Sequence, residues 1–204
     1  MVYKGDDKTQ RFLKILAIFL LSVPLLISPA TAWSFESHQA IVSKAYYLLP
    51  QTAQKNLNLD EMKKGSLAPD VTFHDYTRHE YSASVALAQN WLNKGKKAYK
   101  SKNYNYASYC FGVASHYIAD TFSAPHCIKG ESAAQHKAYE IQARGMTPSI
   151  RYMSGSLKNI LYNGYKQGNK DWRLWIKGSR SPSISQRDLN NAGSAAYSMI
   201  KRYI

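Results

Sequence analysis

His116, Asp120, His126, His136 and Glu140 all fall in one short stretch, GVASHYIADTFSAPHCIKGESAAQHKAYE, running from Gly112 to Glu140. The first two are four residues apart, as are the last two, and residues four apart lie one above the other on a helix face. Each pair therefore offers an imidazole and a carboxylate to a single ion. His126 lies between the pairs, after a Ser-Ala-Pro that reads as a turn, where Pro125 disfavours helix and would aim the imidazole back at the bundle. Any one of these residues alone reads more readily as a surface or capping residue. The repeated offset within one stretch points instead to five convergent metal donors.

Donors spaced this way need helices to carry them, and the hydrophobic period is helical almost throughout, with no clear period-two strand. The expected fold class is all-α, a single-domain multi-helix bundle. The pattern predicts a first helix over residues 36–49, ended by Pro50, a second over 80–100 and a third over 104–122. A fourth carries His136 and Glu140 and stops near Gly145. A fifth opens at Thr147-Pro148, as N-cap and first-turn proline, and buries Ile150, Met153, Leu157 and Leu161. The last runs over 185–203. The segment KKGSLAPDVTFHDYTRH, residues 63–79, reads as irregular chain, as does the connection over 168–184 with its two tryptophans. The third helix has one apolar stripe (Tyr104, Ala107, Phe111, Ala114, Ile118, Phe122) beside a line that ends in His116 and Asp120. Gly112, in its middle, costs about 1 kcal/mol relative to alanine, so another backbone is expected to come close there.

The first 32 residues form a separate compositional block: a net basic start, an apolar run from Ile15 to Ile27, and Ser28-Pro29-Ala30-Thr31-Ala32. The run is short for a bilayer span, and Ala-Thr-Ala fits a small-x-small cleavage site, so residues 1–32 read as a secretory signal peptide. Cleavage between Ala32 and Trp33 would send a domain of residues 33–204 out of the cell; an uncleaved anchor is the other possibility. The four Lys/Arg and two Asp/Glu of the leader leave 23 basic against 11 acidic side chains in the mature part, a net charge of +12. That balance favours anionic partners, either phospholipid surfaces or nucleic acid. Lys94, Lys96, Lys97, Lys100 and Lys102, interleaved with tyrosines, suit such a partner, although a solvated face is the simpler reading. Cys110 and Cys127 leave one disulfide or two thiols equally open.

The motifs ASHYIAD, APH and HKAYE resemble those of the zinc-dependent bacterial phospholipases C, a fold shared with single-strand-specific zinc nucleases. The resemblance extends from Trp33 to about Gly145 and includes the lead-in KAYKSKNYNYASYCFG. It implies a trinuclear zinc site. One zinc would lie between Asp70, His79, His116 and Asp120. A second would be held by His126, His136 and Glu140. A third would take the Trp33 amine and carbonyl, His38 and the second oxygen of Asp120. A cleavage site directly before a tryptophan agrees with that pattern independently. Asp70 would also accept a proton from the attacking water, and Glu36 stands where a family carboxylate contacts choline.

The sequence departs from the family pattern in places. Both His74 and His79 are available after a shortened segment, and DYTRHEY favours His79. The tyrosine expected after Asp70 is Val71, which puts choline preference in doubt. His38 alone would read as a half-buried histidine; five residues after the Trp33 amine it becomes a ligand. The implied activity is hydrolysis of glycerophospholipids to diacylglycerol and a phosphorylated head group, by a monomer with no protein partner. The family toxins append a membrane-binding β-sandwich that this sequence lacks, so a scavenging hydrolase is expected rather than a lytic toxin. The alternatives are a single-strand nuclease, suggested by the short Trp33–His38 spacing, and a catalytically weak, zinc-stabilised surface-binding protein.

Overall fold

A computed structural model describes residues 33–178 and 180–204; the leader and its cleavage site lie outside the described residues. Among the described residues the protein is all-helical: α1 (Phe35–Leu48), α2 (Gln51–Asn56), α3 (Leu59–Val71), α4 (Tyr81–Lys100), α5 (Tyr104–Asp120), a 3-10 turn (Ala124–Cys127), α6 (Ala133–Ala143), α7 (Leu157–Lys177) and α8 (Pro182–Tyr203). None of these helices is long and apolar enough to cross a membrane.

α5 is the central element, packed against α1, α3, α4 and α8. From Cys110 to Asp120 it is buried on every side, not along one stripe beside a polar line as the sequence pattern suggested. Its crossing with α3 is a backbone-to-backbone approach. A Cβ added at Gly112 would stand 2.9 Å from both the Met62 carbonyl carbon and the Ser66 amide nitrogen. One added at Gly65 would stand 3.0 Å from the Tyr109 carbonyl carbon and the Val113 nitrogen. The expected close approach at Gly112 is therefore real and reciprocal, and it brings Asp70 on α3 beside His116 and Asp120 on α5.

Three further expectations are corrected. The segment expected to be irregular contains most of α3, a helix with Pro69 in its last turn. A proline there forfeits an i→i−4 hydrogen bond. The Asn58 cap on the Asp60 and Glu61 amides and the burial of Met62, Ala68 and Pro69 outweigh that loss. Thr147-Pro148 does not open a helix. Residues 146–155 run as irregular chain along α8, and α7 begins at Leu157, capped by Ser156. The N–H groups of Ser149, Arg151 and Met153 donate to Asn190 Oδ1 (2.8 Å), Ser194 Oγ (3.0 Å) and Ser198 Oγ (2.7 Å), one residue per turn of α8. The Arg202 guanidinium closes the far end on the carbonyls of Met153 and Gly155. Because α8 supplies those partners, the segment needs no internal helical bonds. Finally, the connection expected over 168–184 is mostly the second half of α7, which buries Trp172 and Trp175 at helical spacing.

Candidate metal centre

Five elements converge on one cluster, buried but for a half-buried His126. α1 brings His38, α3 brings Asp70, α5 brings His116 and Asp120, the 3-10 turn brings His126, and α6 brings His136 and Glu140. His79 arrives from the connection between α3 and α4. The imidazoles form a continuous line. His38 stacks on His116 at 4.1 Å between ring centroids, His116 meets His79 at 5.1 Å, His79 meets His126 at 5.7 Å, and His126 meets His136 at 4.9 Å. His74 is exposed, bonded through Nδ1 to the Tyr76 hydroxyl. The structure therefore brings His79 into the cluster and leaves His74 outside.

Asp120 stands between two groups of donors. Its Oδ2 faces His79 Nδ1 at 2.5 Å and His116 Nε2 at 3.1 Å, while its Oδ1 faces His38 Nε2 at 3.3 Å. Asp70 Oδ1 lies 3.6 Å from His116 Nε2 and 3.8 Å from His79 Nε2. Two overlapping triads, His38–Asp70–His116 and His79–His116–Asp120, each bring three ligand atoms within 4.8 Å of one another. On α6, His136 Nε2 is 3.4 Å from Glu140 Oε1, the i, i+4 pairing expected from the sequence.

The surrounding groups orient the imidazoles. His116 Nδ1–H donates to the Ser66 carbonyl at 2.8 Å, which leaves Nε2 aimed at the carboxylates. His136 Nδ1 faces Glu131 at 3.4 Å. His79 Nε2 bonds the Asp75 carbonyl, and Asp75 is itself held by the Tyr117 hydroxyl at 2.8 Å and Arg78 Nε at 3.0 Å. Partners of this kind fix ring orientation and basicity in metal sites. Sequence reasoning missed Asp75, Tyr117, Ser66 and Glu131. Asp75, four before His79, and Tyr117, next to His116, carried the only local hint.

Burial raises the Asp70 carboxyl to about 6, against the opposing pull of His116. It depresses His126 to about 3 and His38 well below the ordinary histidine range, so both keep a free lone pair. Burial would depress His79 as well, but the adjoining Asp120 carboxylate overrides it and raises that imidazole to about 9. Asp120 in turn is held well below the carboxylate range, because the charges of the His116 and His79 imidazoles beside it outweigh the cost of its burial.

A metal fits this donor set. His38 Nε2, both oxygens of Asp70, His116 Nε2, Asp120 Oδ1 and His126 Nε2 are buried without a hydrogen-bond partner. Each such atom costs about 1–3 kcal/mol if nothing compensates it. Imidazole nitrogen and carboxylate oxygen are donors that zinc takes. The remaining expected residues lie differently. Trp33 is fully buried, with its indole N–H donating to the Ala119 carbonyl at 3.0 Å, which pins it beside Asp120. Glu36 is exposed on the first turn of α1 and pairs with Arg144 at 3.7 Å.

Among the described residues, an all-helical scaffold gathers histidines and carboxylates from five elements, four of which carry buried donors without a hydrogen-bond partner, and that defines the class: a helical protein with a candidate multi-ligand metal centre. Residues 37–188 match the family described as zinc dependent phospholipase C, and the chain belongs to that family. In fold it is similar to the alpha toxin from Clostridium absonum, with a TM-score of 0.64 and 16% identity over 82% of this chain and 62% of that one. The chain thus spans 62% of the toxin's length. No curated protein sequence matches it.

Proposed function

We propose that the protein is a zinc-dependent phospholipase C that cleaves the glycerol-side phosphodiester bond of glycerophospholipids, giving diacylglycerol and a phosphorylated head group. The observation that carries this reading is the group of unpaired buried donors on His38, Asp70, His116, Asp120 and His126 in a chain of this family. Asp70, His79, His116 and Asp120 would hold one ion. His126, His136 and Glu140 would hold a second. The Trp33 main chain, His38 and the far oxygen of Asp120 would hold a third. Bound zinc supplies Lewis-acid polarisation of the phosphoryl oxygens and acidifies a water.

The chain's own residues supply the rest. Asp120 presents its two oxygens to different imidazoles, the disposition a bridging carboxylate needs. Asp70, whose two buried oxygens have no hydrogen-bond partner, accepts the proton of the attacking water at a carboxylate oxygen. The cleft over His79, His126 and His136 encloses about 430 Å³, room for a phosphodiester at the donors. Secretion, with release of a free Trp33 amine, belongs to the same proposal.

The test is zinc-loaded protein beginning at Trp33, offered phosphatidylcholine, phosphatidylethanolamine and single-stranded DNA in parallel. Release of a phosphorylated head group supports the proposal. Nucleotide release alone would transfer the site to a nuclease, for which the exposed lysines of α4 are suited. Neither product would leave a zinc-stabilised binding protein.

A further inference from the structure

The ligands of the second ion arrive on two separate mounts. His126 sits on the 3-10 turn, and His136 and Glu140 sit on α6. The buried stripe of α6 is His136, Tyr139, Glu140 and Ala143, the i, i+3, i+4, i+7 pattern of one helix face. Two of those residues are the ligands themselves and Ala143 offers little surface, so the burial that places the helix falls on Tyr139. The capping box of Ser132 and Gln135 starts α6 but does not fix where it lies.

Tyr139 is fully buried, and its ring meets Trp33, Trp172 and Trp175 at 5.9, 6.1 and 5.4 Å between centroids. Its hydroxyl donates to Asp188 Oδ2 on α8 at 2.6 Å. Asp188 is also hydrogen-bonded to Asp171 on α7, which the Arg187 guanidinium holds in turn. α7 carries the other mount. Asn169 Nδ2 donates to the Cys127 carbonyl at 2.8 Å, and a Cβ at Gly168 would stand 3.2 Å from Cys127 Cβ, so α7 lies hard against the turn of His126. A chain of contacts thus runs from that turn through α7, Asp171, Asp188 and Tyr139 to α6.

The C-terminal end of α6 is held separately. Gln142 Oε1 accepts from Trp175 Nε1 at 2.8 Å and Ser185 Oγ at 3.0 Å, and the Ala143 carbonyl accepts from Ser37 Oγ at 3.5 Å. A helix held at that end alone would swing. His136 lies about 9 Å along α6 from Gln142, so a tilt of roughly 1° moves it by the ~0.2 Å that metal–ligand distances tolerate.

We infer that the Tyr139–Asp188 hydrogen bond clamps α6 in register with the turn of His126, which makes Tyr139 a positioning residue for the second ion. The inference rests on the metal reading of the centre. Tyr139→Phe keeps the ring and its packing on three tryptophans, so it isolates the hydroxyl.

The experiment uses protein beginning at Trp33, with zinc content measured after dialysis and zinc affinity by competition with a chromophoric chelator. His136→Ala identifies the zinc equivalent, and the visible band of the cobalt-substituted protein, that belong to the second ion. In Tyr139→Phe that equivalent should weaken by about 10–100-fold, the scale on which outer partners of metal ligands act, and the same cobalt band should fade, while the remaining zinc holds within about twofold. Asp188→Asn keeps an acceptor for the hydroxyl and should retain the ion. Tyr139→Phe combined with Asp188→Leu removes both partners and orphans neither, so it should fold and lose the same ion. Ser198→Ala, which removes a buried hydroxyl elsewhere on α8, controls for lost stability: it should lower the melting temperature and leave zinc unchanged.

Wild-type affinity for every ion in Tyr139→Phe, or an equal loss at all of them, would overturn the clamp while leaving the metal centre standing. Wild-type protein that takes up no zinc would overturn the metal reading and the clamp with it. No substrate enters these measurements, so a failure to cleave phospholipid would sink the proposed activity without touching their outcome.

Discussion

Gly112→Ala should damage both the fold and the metal centre, because Gly112 is where α3 rests on α5. The added Cβ would stand 2.9 Å from two backbone atoms of α3, Met62 C and Ser66 N, and closer still to Met62 O. Carbon atoms pack at roughly 3.5–4 Å, so α3 must retreat by roughly 1 Å. Backbone, unlike a flexible side-chain tip, cannot swing aside. Alanine gains about 1 kcal/mol over glycine in helix propensity. Overpacking of a tight crossing costs about 1–3 kcal/mol, so the net change should be a modest loss of up to about 2 kcal/mol.

The effect on metal should be larger in proportion. Asp70 rides on α3 and His116 and Asp120 on α5, whereas metal–ligand distances tolerate only about 0.2 Å. A shift of roughly 1 Å between those helices separates the donors by several times that tolerance. Urea unfolding of the metal-free variant should show the modest loss. Competition with a chromophoric chelator should show at least a tenfold loss of zinc affinity. Wild-type zinc affinity in Gly112→Ala would refute the reasoning, since it would mean that α3 can retreat without moving Asp70.

Three further outcomes are expected. His79→Ala should lower zinc content and abolish phosphodiester hydrolysis, whereas His74→Ala should spare both; the reverse pattern would move the ligand to His74. Burial, and then its hydrogen bond with Asp171, push the Asp188 carboxyl well above the ordinary carboxylate range, so the folded protein holds a proton that the unfolded chain releases above about pH 4. Its contribution to stability is fully present below that pH and lost as pH rises toward the folded value, so Asp188→Asn, which keeps a donor for Asp171 and an acceptor for the Tyr139 hydroxyl, should gain melting temperature relative to wild type from about pH 5 to about pH 8. Parallel curves would sink that account. One alanine left ahead of Trp33 should move the free amine by about 3.8 Å and cost one zinc equivalent; equal zinc content would remove the amine from the ligand set.

The part of the site legible in the sequence is the part carried by local spacing. His116 with Asp120, and His136 with Glu140, are helical neighbours wherever their helices go, so the offset alone pairs them. α4 and α5 were legible for the same reason. Asp70 was harder to place, because Gly65, Ser66 and Pro69 weaken any helical reading of its segment; α3 owes its helicity to burial against α5, which no window of the sequence displays. The chain over 146–155 failed differently. Thr147-Pro148 is a sound start signal, but Asn190, Ser194 and Ser198 offer its N–H groups another set of partners more than forty positions away. Asp75 and Tyr117, which position His79, become visible only once their elements meet.

The unpaired atoms of the cluster gain their meaning from how the rest of the core treats its polar groups. Ser66, Ser115, Thr121 and Ser198 are all buried, and each turns its hydroxyl back onto a carbonyl three or four residues earlier in the chain. Tyr139 and Tyr117, from longer reach, find Asp188 and Asp75. Core polarity is thus satisfied within the protein, by local bonds where the side chain is short and by tertiary ones where it is long. All six buried side-chain atoms left without a hydrogen-bond partner among the described residues belong to His38, Asp70, His116, Asp120 and His126. Loose packing would scatter such defects over the core. Their confinement to five residues from four helical elements, with the Asp120 carboxylate between His38 and His116, is what a core built around a cation requires.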